Sequence, residues 1–281
     1  MTASTDFLAR AKAHHIFVIL TDDGVPLLGG YADLINPYCC STFANYNADY
    51  LSPGGLEAEK RYANDLVQGL IDQRALLDAI LAFELRNELY FVSDQPPLSL
   101  SSGLVTTANG RTYDMTDPAA KQRMMDDNLI YWTDQAHGVI MGLDPSAPVT
   151  VGFFASEGPN PVIQPYPAMA NSTADFVDLH TYPRIDFSLA QYVEHFGFGG
   201  YLAKPVIMGE FGAFKSVYGN SQDAAVGLRA WQVDSCQYMF KGWLLWTWDT
   251  DEQPELWNGL SETGLINAAL APAARPDPCV N

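Results

Sequence analysis

Positive charge is what this sequence has least of: 15 Lys and Arg stand against 33 Asp and Glu, for a formal net charge of -18. So acidic a chain repels phosphate backbones and anionic headgroups, which excludes nucleic acid and membrane surfaces as partners and favours a neutral ligand. Long apolar runs are also missing. The longest, such as His15 to Leu20 and Trp243 to Trp246, fall far short of the ~20 residues that span a bilayer. Four cysteines are too few for a disulfide scaffold, and the adjacent Cys39 and Cys40 are poorly placed to bridge each other. Cys236 falls in a predicted helix and Cys279 in the tail; a bridge between them is the alternative to the expectation of four free thiols. His14 and His15 have no further histidine or cysteine nearby, so neither a metal site nor any other cofactor is expected. Met1 to Lys12 lacks a basic stretch followed by an apolar core, so the chain as given reads as cytoplasmic, or as secreted if a leading segment has been removed.

The 281 residues, 48% of them apolar, are enough for one large core, and a single domain over 1–281 is expected. Short β-branched or aromatic runs alternate with longer helical stretches, the pattern of βα units around a parallel sheet. Strands are predicted at Ile16 to Thr21, Ile80 to Arg86, Val149 to Phe154, Phe176 to Thr181, Val206 to Gly209 and Trp243 to Trp248. Helices are predicted at Ser4 to Ala13, Gly55 to Gln73, Pro118 to Gly142, Leu189 to Phe196 and Ser221 to Phe240. Ser52-Pro53 and Asp117-Pro118 are helix-start signals, with proline in the first turn where its missing N–H costs little. The irregular stretches Asp22 to Leu51, Phe91 to Asp114 and Ala155 to Ala174 each follow a strand, where a barrel builds its active site. The fold class is therefore α/β, a TIM-type (β/α)8-like barrel that is incomplete, with about six recognisable strands.

Two of the apolar runs deliver a glutamate: Ala82-Phe83-Glu84-Leu85-Arg86-Asn87-Glu88, and Pro205-Val206-Ile207-Met208-Gly209-Glu210-Phe211-Gly212. Hydrolysis of a glycosidic bond with retention needs one carboxyl group as general acid then base and a second as nucleophile, ~5 to 5.5 Å apart. Glu88 and Glu210 are the candidates, and the amide of Asn87 beside the acid is suited to a sugar hydroxyl. No Gly-x-Ser-x-Gly supports an esterase; the nearest serine, Ser156, has Phe154 where the first glycine belongs.

Asn87-Glu88, His180-Thr181-Tyr182-Pro183, Gly209-Glu210-Phe211-Gly212 and Trp243-Leu244-Leu245-Trp246-Thr247-Trp248 follow one another in an order and spacing that resemble the clan A retaining glycoside hydrolases, nearest the cellulase-like group around glycoside hydrolase family 5. The resemblance runs from the Ile16 strand onward. It implies Glu88 as acid/base at the end of the fourth strand with Asn87 as its substrate-binding neighbour, and Glu210 as seventh-strand nucleophile. It implies His180 and Tyr182 as the sixth-strand pair, the phenol holding the nucleophile and the imidazole facing the cleft, and Trp246 as the eighth-strand indole under the sugar. Trp248 is a second choice for that indole, since both would share one strand face. On this alignment the first two strands, and an arginine usually supplied by the second, are missing, and the third strand ends in Thr21-Asp22-Asp23 where a histidine is common. Glu84 and Arg86 read as a structural ion pair or interior network, and Asp249 to Glu252 as a charge cluster at a helix start. The activity implied is a retaining glycosidase for neutral β-linked glycosides or oligosaccharides. The alternative is a carbohydrate-binding barrel remnant without turnover. Missing strands leave sheet edges, so a homodimer or larger homo-oligomer covering the open seam is expected.

Overall fold

The computed structural model describes residues 3–38, 42–155, 161–162, 166–197, 203–249, 252–271, 273 and 277–280. The Cys39 and Cys40 pair lies outside the described residues, as do Thr250 and Asp251 of the acidic run. The chain resolves into two compact units, residues 1–152 with 156–176, and residues 153–155 with 177–281.

The first unit holds a parallel sheet in which the central strand Ile80–Glu84 pairs with Val18–Thr21 on one side and with Val149–Thr150 on the other. Its alternate residues Ala82 and Glu84, and Phe83 and Leu85, are all buried, as expected of a parallel strand covered on both faces. The helices Pro53–Asp72 and Pro118–Leu143 pack together beside it. Both begin where the sequence signals placed them: Ser52 Oγ accepts from Gly55 N at 2.9 Å, and Asp117 accepts from Ala119 N at 2.8 Å. Gly55 also lets the first turn press against helix Asn45–Leu51, because a Cβ there would lie 2.3 Å from the carbonyl oxygen of Ala48. Tyr50 is buried edge-to-face against Phe91 and Trp132, with ring centres 5.6 and 5.3 Å away.

In the second unit the sheet order places Val206–Phe211 between Phe240–Leu245 and Val177–His180, all parallel, with Gly152–Phe154 outermost. Helices Ser221–Asp234 and Ser261–Leu270 pack on each other, and Phe196, Phe211 and Phe240 are its largest fully buried rings.

Several expected boundaries move. The predicted strand Val149 to Phe154 is two short strands in two different sheets, broken at Val151. The predicted helix Ser221 to Phe240 ends at Asp234; a 3-10 turn follows, and Met239 in the left-handed region (φ 65°) turns the chain into the last strand. That strand is Phe240–Leu245, three residues earlier than expected, so Trp246 and Trp248 lie in the segment beyond it and the argument that they share a strand face does not apply. The stretch Asp22 to Leu51 contains helices Ala32–Ile35 and Asn45–Leu51, and Phe91 to Asp114 contains the hairpin Leu104–Thr106 with Thr112–Asp114. These elements are too short to carry a periodic signal.

The expectation of four free thiols is overturned by a Cys236–Cys279 disulfide, with Cα atoms 5.3 Å apart. Cys236 sits in the 3-10 turn Ser235–Tyr238, and the turn at 277–280 brings Cys279 beside it. Closing 43 residues of chain constrains the unfolded state by roughly 4 kcal/mol on the chain-entropy account. The double substitution Cys236→Ser with Cys279→Ser is expected to lower the urea midpoint by an amount equivalent to ~2 to 4 kcal/mol. An unchanged midpoint would mean that the bridge contributes nothing in solution.

Candidate active site

In the second unit, alternation along strand Val177–His180 sets Asp178 and His180 on one face and Val177 and Leu179 on the other, and Tyr182 follows two residues past the strand end. Glu210 is the register partner of His180. The Tyr182 hydroxyl donates to Glu210 Oε2 at 2.7 Å, and His180 Nδ1 lies 3.4 Å from the same oxygen. On its other side His180 Nε2 faces Asp178 Oδ1 at 3.8 Å. With the proton on Nδ1 the imidazole would donate to Glu210, a second donor beside the Tyr182 hydroxyl at one carboxylate oxygen.

Both glycines flanking Glu210 are sterically required. A Cβ on Gly209 would fall 1.8 Å from Asp178 Oδ1, and one on Gly212 would lie 2.2 Å from the Trp246 carbonyl oxygen and 2.9 Å from a Tyr182 ring carbon. Tyr182 is itself held from behind: its carbonyl accepts from the Tyr192 hydroxyl at 2.9 Å and its ring lies 5.4 Å from that of Phe214. The preceding Thr181 is fixed by Trp231 Nε1 at 3.1 Å. His180 is buried, at 2% exposure, which makes it a partner of Glu210 and Asp178 rather than an open face. Trp246 and Trp248 are the exposed aromatics, at 38% and 53%. The Trp246 amide is anchored to the Phe211 carbonyl at 2.8 Å, one residue beyond Glu210, and its indole donates to Gln253.

In the first unit the residues after strand Ile80–Glu84 are clamped from both sides. Asn87 N donates to the Asp22 carbonyl at 2.7 Å, Gly152 N donates to the Arg86 carbonyl at 2.9 Å, and Leu89 N donates to the Gly152 carbonyl at 3.0 Å. Between these bonds Glu88 adopts φ 44°, a left-handed conformation that costs a non-glycine residue roughly 1–2 kcal/mol and persists only where neighbours over-determine it. Both Asn87 and Glu88 are half-buried.

Beside this clamp lies a polar interior that the sequence reading resolved only as an ion pair or network of Glu84 and Arg86. Glu84 accepts from Thr21 Oγ1 at 2.6 Å, while Arg86, 6% exposed, donates to the Asp23 carbonyl at 2.5 Å and sits 5.2 Å over the Tyr46 ring. Burial pushes the carboxyls of Asp22 and Asp49 up to about 6 and that of Glu59 well above its usual range; Arg86 opposes all three shifts. The sequence reading also missed Asp178, although its position two residues before His180 was the available signal. Tyr46 and Tyr90 were missed too, each lying in a stretch without regular period.

No family model and no curated protein matches this chain. Among solved structures it is similar to an endo-1,4-β-D-mannanase from Thermotoga petrophila RKU-1, at 18% identity and a TM-score of 0.56, over 93% of this chain and 76% of that one. It is similar to a β-glucosidase 1317, at 12% identity and a TM-score of 0.51, over 86% of this chain and 66% of that one. It spans only 35% of a β-D-glucuronidase of Dictyoglomus thermophilum. The likenesses to the mannanase and the β-glucosidase show the fold, which agrees with the expected TIM-type α/β class.

A carboxyl that is more protonated folded than unfolded contributes stability below its unfolded value and loses it as pH rises through its folded value. For Asp22 and Asp49 that window runs from 3.8 to about 6. The pair Asp22→Asn with Asp49→Asn is therefore expected to flatten the fall in Tm over that window relative to the unsubstituted chain. A single Asp49→Asn should stabilise at pH 7 by on the order of 2 kcal/mol. Parallel Tm profiles for variant and parent would contradict the assignment.

Proposed function

We propose that the chain is a retaining glycoside hydrolase acting on neutral β-linked glycosides or oligosaccharides, with Glu210 as nucleophile and Glu88 as acid/base. The observation that carries this reading is the Glu210 carboxylate, which accepts from Tyr182 and lies 3.4 Å from His180 Nδ1, on a strand where Gly209 makes room for Asp178 and Gly212 for Tyr182 and the Trp246 carbonyl. A structural glutamate needs only some hydrogen bond; this one accepts from the Tyr182 hydroxyl and has an imidazole nitrogen 3.4 Å from the same oxygen.

In the first step a Glu210 oxygen bonds to the anomeric carbon as the bond to the leaving oxygen breaks, and the Glu88 proton passes to that oxygen. Water then attacks the anomeric carbon of the glycosyl-enzyme, giving up its proton to Glu88 as the bond to Glu210 breaks. Tyr182 and His180 orient the nucleophile, Asn87 supplies an amide for a sugar hydroxyl, and Trp246, with Trp248, supplies aromatic surface for the ring. The net charge of -18 supports a neutral rather than an anionic sugar.

Two subsidiary proposals accompany this reading. The Cys236–Cys279 bridge supports an oxidising compartment over the cytoplasm. Strand Val18–Thr21 pairs, among the described residues, only with Ile80–Glu84 and has exposed Ile16 and Phe17 beside it, an edge that a second copy would cover. A single-chain mass by light scattering at micromolar concentration would count against that assembly.

A chromogenic and polysaccharide panel, run with Glu88→Gln and Glu210→Gln, tests the main reading: each substitution is expected to cost roughly 10²- to 10⁴-fold in kcat or more. A 2-deoxy-2-fluoro glycoside should label Glu210. Labelling elsewhere, or full activity in Glu210→Gln, would overturn the assignment, and sugar binding without turnover would favour the non-catalytic remnant. Tyr182→Phe is expected to lower kcat by ~10- to 100-fold at little cost in stability, because it removes the hydroxyl and keeps the ring. An unchanged kcat would remove Tyr182 from the orienting role.

A further inference from the structure

A cavity of about 130 Å³ lies in the first unit, where strands Val18–Thr21 and Ile80–Glu84 meet helices Pro53–Asp72 and Pro118–Leu143. Packed interiors leave few voids larger than a water, and a space of this size takes a molecule on the scale of benzene. Leu20, Leu66, Phe83 and Ile140 form its apolar side. Asp22, Glu59 and Glu84 line it as well, and among the described residues no Lys, Arg or His does. Apolar wall combined with carboxyls, without a cation in the lining, is complementary to an organic cation.

Glu59 is the decisive group. It stands on helix Pro53–Asp72 at 6% exposure, and among the described residues its carboxyl has neither a hydrogen-bond donor nor an ion-pair partner. Asp22 accepts from the Gly24 amide at 2.9 Å with one oxygen, while its Oδ2 is buried and accepts from none of the described residues. Glu84 accepts from Thr21 Oγ1 at 2.6 Å, which fixes the third carboxyl in the wall. Burial holds the Glu59 carboxyl well above its usual range, and the Asp22 charge adds to that shift. Arg86 opposes the shift without reversing it, being committed to the Asp23 carbonyl and the Tyr46 ring. The proton that neutralises Glu59 thus stands where a counter-cation would, and an ammonium group supplies both the charge and three N–H donors.

We propose that this cavity is a binding site for a short alkylammonium ion, with the ammonium group on Glu59 and Asp22 and the carbon chain against Leu66, Phe83 and Ile140. Its size limits the ligand to about six non-hydrogen atoms, the count in benzene. The site belongs to the first unit alone and does not depend on the catalytic reading, none of whose residues lines it. Charge is the property that identifies the ligand. A neutral alcohol of the same length gains the apolar contacts but leaves the carboxyls without a counter-ion.

The test titrates n-butylamine and, separately, 1-butanol into the isotope-labelled full chain near neutral pH and follows the backbone amide chemical shifts. Saturable binding of n-butylamine is expected, at an affinity roughly 10-fold or more above that of 1-butanol. Glu59→Gln keeps the shape and removes the charge, and is expected to abolish that preference; Asp22→Asn gives a second reading should the first variant unfold. Leu66→Trp, which fills the space, is expected to abolish binding of both probes. Absence of saturable n-butylamine binding, or affinity no better than that for 1-butanol, overturns the proposal. So does a preference that persists in folded Glu59→Gln or Asp22→Asn, since the amine would then sit on other carboxylates of this acidic chain. Binding that survives in folded Leu66→Trp places the amine outside the cavity and overturns it too.

Discussion

A side chain at the end of a parallel strand is aimed by the pleat of that strand and by what the neighbouring strand leaves open, and Glu210 depends on both. Its strand lies between two others, so its orientation is not free: His180 is across the register, Tyr182 follows two residues beyond, and both reach the same carboxylate oxygen. The arrangement exists only because positions 209 and 212 lack a Cβ. One would collide with the Asp178 carboxylate and the other with the Trp246 carbonyl and the Tyr182 ring. The motif Gly-Glu-Phe-Gly is thus one steric unit: two gaps, the carboxylate they frame, and a buried phenylalanine, 1% exposed, that pins the strand to the core.

The first unit meets a different constraint, that of charge under cover. Arg86 is almost fully buried, and Asp22, Asp49 and Glu59 are close enough to feel it, yet burial outweighs its attraction at each of the three carboxyls. One guanidinium does not offset the desolvation of three carboxylates, so part of the cluster is neutral in the pH range where surface acids are charged. Arg86 is committed instead to the Asp23 carbonyl and the Tyr46 ring, which ties the loop after the first strand to the segment that carries Glu88. Gly24 is part of the same contact, since a Cβ there would fall 2.1 Å from the guanidinium.

The long elements were legible from the sequence because their signals are redundant. Helices Pro53–Asp72 and Pro118–Leu143 carry both periodicity and a start signal, and the central strands are apolar on both faces. The motif residues were legible as candidates for the same reason: each closes an apolar run. What was not legible came from contacts far apart in sequence. The Cys236–Cys279 bridge depends on where a tail is laid down, and helix Asn45–Leu51, of seven residues, is held by its close approach to Gly55 rather than by propensity. The shared strand face that offered Trp248 as a second choice beside Trp246 does not exist, since the strand ends at Leu245, before both indoles.

The backbone at Glu88 explains how a half-buried carboxyl can follow directly on a buried charged row. Extended chain would put residues 84, 86 and 88 on one face, and the first two are 5% and 6% exposed, inside the polar interior. A third member of that row would be buried with them, in surroundings already short of positive charge. The left-handed φ of 44° at Glu88 breaks the alternation at that residue, and the backbone bonds from Asn87 to Asp22 and from Leu89 to Gly152 hold the break in place. Glu88 is released from the row and remains half-buried, as the acid/base role proposed for it requires. The strain is thus local, borne by one residue, and sustained by hydrogen bonds on either side of it, which ties the position of Glu88 to the residues that follow the two neighbouring strands, Asp22 and Gly152.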